Sequence, residues 1–316
     1  MIVIAIHTLP AVPAYDSFYG ITIITLRQML NCAVPIFLAI SGYFLAKKDL
    51  SSRNNIITFY KRQLPTVYIP CIVFSLGWFL LDLYGQRFSN PISCILNLIV
   101  CGYSIYYFIA LIIQLYIILP LLVRWNKSYW GILISAIVSC ASIVVVTYML
   151  HIEGRQFPLV AYASPFAIWV VFFMMGIYFS SHKRSKLLIP GIVIATIGLI
   201  TSVAETLYYL PLHGSGIGIK LSAFIYSAGV IMIIFSTQAE TCFQENRATK
   251  CILWIGEVSF GIYLLHMYVR FALGYVVQTD SWLFSWLLTI SLSSAIIIAA
   301  KRIVPSQTLT KYFGIR

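Results

Sequence analysis

Histidines and arginines set inside long apolar runs are the first residues of this chain that could do chemistry. His7 sits in the run MIVIAIHTLP, Arg27 in a run that continues to Leu45, and Glu257, His266 and Arg270 in a run over 252–274. A neutral histidine near pH 7 can take a proton from a hydroxyl or an amine, which is the work of a general base. A cationic side chain beside it steadies negative charge that develops during reaction. Ionisable groups are expensive in an apolar medium, so they are functional candidates wherever they occur there. Each also has a plainer reading. A histidine between helices is often a hydrogen-bond partner. Arg27, Lys220 and Arg270 are long enough to carry their charge to a polar boundary, and for Lys220 that is the expectation. The basic pair Lys61 and Arg62, in Phe59-Tyr60-Lys61-Arg62-Gln63-Leu64-Pro65, opens a helix and can hold phosphates; signalling topology is its alternative role. The seven cysteines form no C-x-x-C pair and no metal-type spacing, so neither a metal site nor a disulfide framework is expected.

The elements that position these residues follow from composition. Of 316 residues, 60% are hydrophobic and 9% charged, whereas a soluble domain carries roughly 25% charged residues. A lipid-facing surface removes the need for that charge. Apolar runs of spanning length, about 20 residues, occur near 21–46, 64–83, 104–123, 130–150, 163–181, 187–207, 217–236, 252–274 and 282–300, with an incomplete one at 1–13. Residues 92–101 are apolar but short and read as re-entrant or interfacial. Pro65 and Pro70 fall near a span start, where a missing N–H is tolerated. Pro35 lies within a span and should kink it.

Basic residues alternate between the loops without a break. Of the 21 lysines and arginines, sixteen (Lys47, Lys48, Arg53, Lys61, Arg62, Arg124, Lys127, Lys183, Arg184, Lys186, Arg247, Lys250, Lys301, Arg302, Lys311 and Arg316) fall on one side, which the positive-inside rule makes cytoplasmic. The net charge of +12 is therefore a topology signal and no pointer to nucleic acid. The expected fold is all-α: one polytopic transmembrane helical bundle over 1–316, with about ten spans and both termini cytoplasmic. Asp16, Arg87, Glu153, Arg155, Glu205 and Asp280 are then on the outer side.

Two runs carry more than hydropathy. Val34-Pro35-Ile36-Phe37-Leu38-Ala39-Ile40-Ser41-Gly42-Tyr43-Phe44-Leu45 combines a proline with small residues that permit close helix approach, and a packing seam is its plain reading. Ser259-Phe260-Gly261-Ile262-Tyr263-Leu264-Leu265-His266 has small residues early and a histidine late. With His7, with Lys61 and Arg62, and with Ser104-Ile105-Tyr106-Tyr107-Phe108 followed by Tyr116 and Pro120, these runs resemble the acyltransferase type-three family of bacterial membrane acyltransferases. The resemblance covers essentially the whole chain, with Pro35, Ser41, Gly42, Tyr263 and His266 among the matching positions.

The resemblance implies ten spans and transfer of an acyl group, commonly acetyl or succinyl, from a cytoplasmic acyl-CoA to a hydroxyl or amine of an envelope glycan or lipid-linked sugar. The site would be the inner (cytoplasmic) cell membrane, with the bilayer as surroundings and no bound cofactor. It implies His7 as general base, Arg27 orienting substrate or steadying charge, and Lys61 and Arg62 on the donor's phosphates. Glu153, Arg155 and Glu205 become candidates for binding sugar hydroxyls outside. The family also places an arginine upstream of its early histidine, further than Met1 allows, so a truncated or misassigned start is expected. The alternative function is a transporter or exporter of a sugar or glycan intermediate. That reading calls for polar groups at the membrane midplane on broken helices, whereas here they lie toward the outside.

Overall fold

Helix starts are written into the chain. Ser17, Ser52 and Ser281 accept hydrogen bonds from Gly20 N, Asn55 N and Phe284 N, and Asn90 accepts from Ile92 N ahead of a helix whose first residue is proline. Such caps satisfy N–H groups that have no partner inside the helix. The computed structural model describes residues 1–10, 17–85, 90–125, 129–182, 184–213, 218–237, 247–277 and 281–315. It is 82% helical, and no strand occurs among the described residues, so the all-α expectation holds.

The helices are α1 (Ile2–Thr8), α2 (Phe18–Leu30), α3 (Ala33–Leu45), α4 (Arg53–Tyr84), α5 (Pro91–Ile99), α6 (Tyr107–Arg124) and α7 (Trp130–Thr147), which a π turn prolongs over Tyr148–Ile152. They continue with α8 (Leu159–Ala163), α9 (Phe166–Phe179), α10 (Leu188–His213), α11 (Leu221–Ile234), α12 (Arg247–Val276), α13 (Trp282–Ile303) and α14 (Ser306–Thr308), which leads into a second π turn at Leu309–Phe313. Each expected apolar run contains helix among the described residues. Among the described residues, six segments are long and apolar enough to cross a membrane: Phe18–Leu45, Arg53–Tyr84, Tyr107–Arg124, Trp130–Ile152, Leu188–Leu210 and Trp282–Ile303. Phe166–Phe179 and Leu221–Ile234 are apolar but shorter. The protein is thus a multi-pass membrane protein. Asp16, Arg87 and Asp280 lie outside the described residues.

Three expectations change. Pro35 does not kink a continuous span. The chain breaks at Asn31 and Cys32, and Pro35 enters the first turn of α3, where no intrahelical N–H is required. Pro65 and Pro70 are interior to a helix that begins at Arg53, well before the apolar run. Lys220 does not reach outward: it is 2% exposed, and its ammonium donates to Ser202 O at 2.5 Å and to Thr206 Oγ1. Ser202 Oγ and Asn31 Nδ2 both donate to Gln28 Oε1, at 2.9 and 3.0 Å, which ties α2 to α10.

Segment 91–101 packs alongside α4. The Tyr68 hydroxyl, at the middle of α4, donates to Ile99 O at 3.0 Å, so α5 descends to that level. The chain then turns through Cys101 and Ser104, both left-handed (φ 56° and 52°). Two tyrosines fix this strained turn to α12: Tyr106 Oη donates to Leu264 O at 2.7 Å, and Tyr263 Oη donates to Ile105 O at 2.6 Å. Backbone carbonyls away from water need such partners. After α13 the chain folds back, burying Leu309 and Ile315 against Ile4, Val258, Ile262 and Ile297.

Candidate active site

α1 is only seven residues long, yet it is held on three sides. Ile4 is buried against α12 and α13, Trp286 Nε1 donates to Met1 O at 3.3 Å, and Arg27 Nη2 donates to Pro10 O at 3.0 Å. His7, in its last turn, is thereby placed on the wall of an interior cavity of about 470 Å³. The walls are mostly apolar, with Ile36, Phe37 and Ile40 of α3 and Phe108 of α6 among them. The residues with polar side chains in the lining include His7, Asn31, Tyr107, Tyr162, Ser259, Tyr263 and His266. Along α12 the cavity runs from Ser259 to His266, about 10 Å at 1.5 Å per residue.

His266 is 0% exposed, and its centroid lies 5.8 Å from that of His7, with the rings 37° apart. Its Nδ1 lies 2.7 Å from Tyr263 O and 3.2 Å from Ile262 O. Carbonyls only accept, so Nδ1 carries the hydrogen and, in the neutral ring, Nε2 carries the lone pair. That Nε2 is buried and has no hydrogen-bond partner among the described residues. Buried polar atoms are ordinarily paired, so this acceptor stands out in the core beside His7.

The expected site residues divide into three groups. His7, Tyr263 and His266 meet at the cavity, with Arg27 and Arg270 within electrostatic reach of His7. Pro35, Ser41 and Gly42 lie on α3 and do not line the cavity; a Cβ on Gly42 would lie 2.3 Å from Phe173 O, so Gly42 is where α3 packs closely on α9. Lys61 and Arg62 are exposed on α4 and line no part of the cavity. Glu153 and Arg155 pair with each other, and the Glu205 carboxylate accepts from Ser222 Oγ at the α10–α11 interface. None of those three lines the cavity. Sequence reasoning missed Asn31, Tyr107 and Tyr162. For Asn31 a signal exists, since Gln28 and Asn31 are polar neighbours three residues apart where a helix must break before a proline.

Fold and site together define a multi-pass membrane protein with a histidine pair in an apolar interior chamber. The chain belongs to the acyltransferase type-three family, whose defining unit is an acyltransferase domain and which it matches over residues 1–300. YfiQ of Bacillus subtilis (strain 168), which carries a provisional assignment as a membrane-bound acyltransferase, is 24% identical over 275 residues, covering 81% of this chain and 72% of its own length. No solved structure matches. The protein is therefore a membrane acyltransferase, and the transporter alternative falls away.

Proposed function

We propose that this enzyme moves an acetyl or succinyl group from a cytoplasmic acyl-CoA to a hydroxyl or amine of an envelope glycan or lipid-linked sugar at the inner cell membrane. The observation that carries the reading is the pair of histidines facing each other inside an apolar chamber of an acyltransferase bundle. A chamber of about 470 Å³ has far more room than an acetyl group needs, which suits a donor that threads its thioester arm inward.

His7 acts as the base. It takes the proton of the acceptor hydroxyl as that oxygen attacks the thioester carbonyl. The carbon–oxygen ester bond forms, the carbon–sulfur bond breaks, and the proton passes from His7 to the departing thiolate. His266 serves His7: the Tyr263 and Ile262 carbonyls fix its Nδ1–H, which leaves the Nε2 lone pair to accept the N–H of His7 when the two rings close from their 5.8 Å separation, and the other His7 nitrogen acts as the base. Arg27 holds Pro10, just after α1, through its carbonyl and brings positive charge to the developing oxyanion.

Mass spectrometry of surface glycans tests the whole reading. A strain lacking this chain should lose one acyl modification, and restoring the chain should return it. Identical glycan masses in the two strains would falsify the acceptor assignment.

Lys61 and Arg62 hold the donor's phosphates outside the chamber. Each charge-assisted contact is worth roughly 1.5–3 kcal/mol before competing water contacts are counted. Lys61→Ala with Arg62→Ala is expected to raise the acyl-CoA concentration needed for half-maximal rate by about 10-fold or more, with the maximal rate kept. Unchanged donor dependence reduces the pair to topology signals.

A further inference from the structure

The break between α2 and α3 puts a carboxamide in the wall of the chamber. Asn31, the residue after α2, lines the cavity, as His7 does. α1 touches α2, and the Arg27 guanidinium donates to Pro10 O. Helices in contact across so short a connection run antiparallel. Counted from that hydrogen bond, His7 lies three residues back along α1 and Asn31 four residues on along α2, about 4.5 and 6 Å at 1.5 Å per residue. The carboxamide therefore sits at about the depth of the base. Arg27, one turn earlier on the same face of α2, does not line the cavity. Its charge acts from a distance, and an oxygen that turns negative inside the chamber needs a donor that touches it.

Such a donor works best when it is held in place before the charge appears. The histidines aside, Tyr263, Ser259 and Trp169 of the lining spend their hydrogens on Ile105 O, Gly256 O and Ala163 O. The hydroxyls of Tyr107 and Tyr162 have no partner among the described residues to fix them. Asn31 is fixed. Its Nδ2 donates to Gln28 Oε1 at 3.0 Å, and the same oxygen accepts from Ser202 Oγ at 2.9 Å. Gln28 and Ser202 are buried, and the Lys220 ammonium donates to Ser202 O. One N–H of Asn31 is thus committed to this network, and a carboxamide nitrogen carries two. We infer that Asn31 is a catalytic residue whose second N–H receives the oxyanion of acyl transfer. The inference rests on the acyl-transfer reading above. As the acceptor oxygen attacks the thioester carbon, the carbonyl π pair moves onto the carbonyl oxygen, which accepts from Nδ2. When the C=O bond re-forms, the carbon–sulfur bond breaks and the thiolate takes the proton from His7. Gln28 is a positioning residue and touches no reacting atom.

The test uses permeabilised cells of a strain lacking this chain, each carrying the full chain or one variant. Labelled acetyl-CoA or succinyl-CoA is supplied over a range of concentrations, and label entering the envelope fraction is counted. The cells provide their own acceptor. Asn31→Ala is expected to lower the maximal rate by about 10²–10³-fold, with the half-saturating donor concentration unchanged. Asn31→Asp keeps the side chain's size and its link to Gln28, whose own amide can turn toward a carboxylate, but it has no N–H and should fall at least as far. Asn31→Ser opens nearly the same space as alanine and keeps a hydroxyl donor, so it should run about 10-fold faster than alanine. Gln28→Ala loosens the carboxamide without removing it and should cost less than Asn31→Ala. An aspartate variant near the parent rate, serine no faster than alanine, or Gln28→Ala falling as far as Asn31→Ala overturns the inference and leaves Asn31 as a link between helices. A loss confined to the half-saturating donor concentration overturns it too, because Asn31 then binds the donor. No label above the strain lacking the chain, from either donor, removes the acyl-CoA reading and this inference with it.

Discussion

With His7 replaced by alanine, acyl transfer falls by about 10²–10⁴-fold, the usual contribution of a positioned general base, while expression and membrane insertion stay normal. Insertion should survive because α1 is anchored by Ile4, by Trp286 on the Met1 carbonyl and by Arg27 on the Pro10 carbonyl, none of which involves the imidazole. His7→Gln should fail as well, since an amide keeps a hydrogen bond but cannot carry the proton from acceptor to thiolate. That pair of variants separates catalysis from packing. An interhelical hydrogen bond is worth on the order of 0.6–2 kcal/mol, and a glutamine can make one toward the His266 lone pair. Counting acylated glycan by mass spectrometry decides the matter. Substantial acylation by the glutamine variant removes His7 from the mechanism.

Hydropathy revealed where the helices are because a bilayer dictates apolar runs, and helix occurs in each run among the described residues, with the run over 21–46 divided into α2 and α3. It misplaced the start of α4 because Arg53-Asn54-Asn55 is polar and reads as loop, although Ser52 caps a helix there. Hydropathy marks where lipid is met, which is a different boundary from where a helix begins. The fate of Lys220 was hidden for another reason. A long cation near a span end either reaches water or is buried, and the choice depends on whether a neighbouring helix offers acceptors. Here α10 supplies Ser202 O and Thr206 Oγ1, a tertiary fact absent from local sequence. His7 and His266 were legible singly as buried ionisable groups in apolar runs. Their proximity was not, since it depends on α1 packing against α12 across a separation of more than 250 residues in the chain. Glu153 and Arg155 were acceptor-side candidates from their place in an outer loop; in the structure they pair with each other, a contact that local sequence did not announce.

Gly176→Val should sharply lower the stability of the bundle and take activity down with it. A Cβ at Gly176 would lie 1.9 Å from Ala39 O, and one at Gly42 would lie 2.3 Å from Phe173 O. The two glycines thus receive each other's helices reciprocally, and the obstructing atoms are backbone, which cannot rotate away as a side chain can. Between apolar helices in lipid there is little hydrophobic gain from association, so close packing is what holds them together. Valine at 176 forces α3 and α9 apart along one of the largest interfaces in the protein. Overpacking typically costs about 1–3 kcal/mol when side chains can adjust, and a backbone clash belongs at or above the top of that range. Separation also moves Ile36, Phe37 and Ile40 of α3 away from Trp169 of α9, all of which line the chamber, so activity should fall together with stability. Gly256 supplies the control: it is exposed on α12, and an added Cβ meets nothing within 4 Å. Alanine there should be neutral or stabilise by up to about 1 kcal/mol through helix propensity. Thermal unfolding of both variants in the same detergent checks the contrast. A Gly176→Val melting temperature equal to that of the Gly256→Ala protein means that α3 and α9 are not in this close contact.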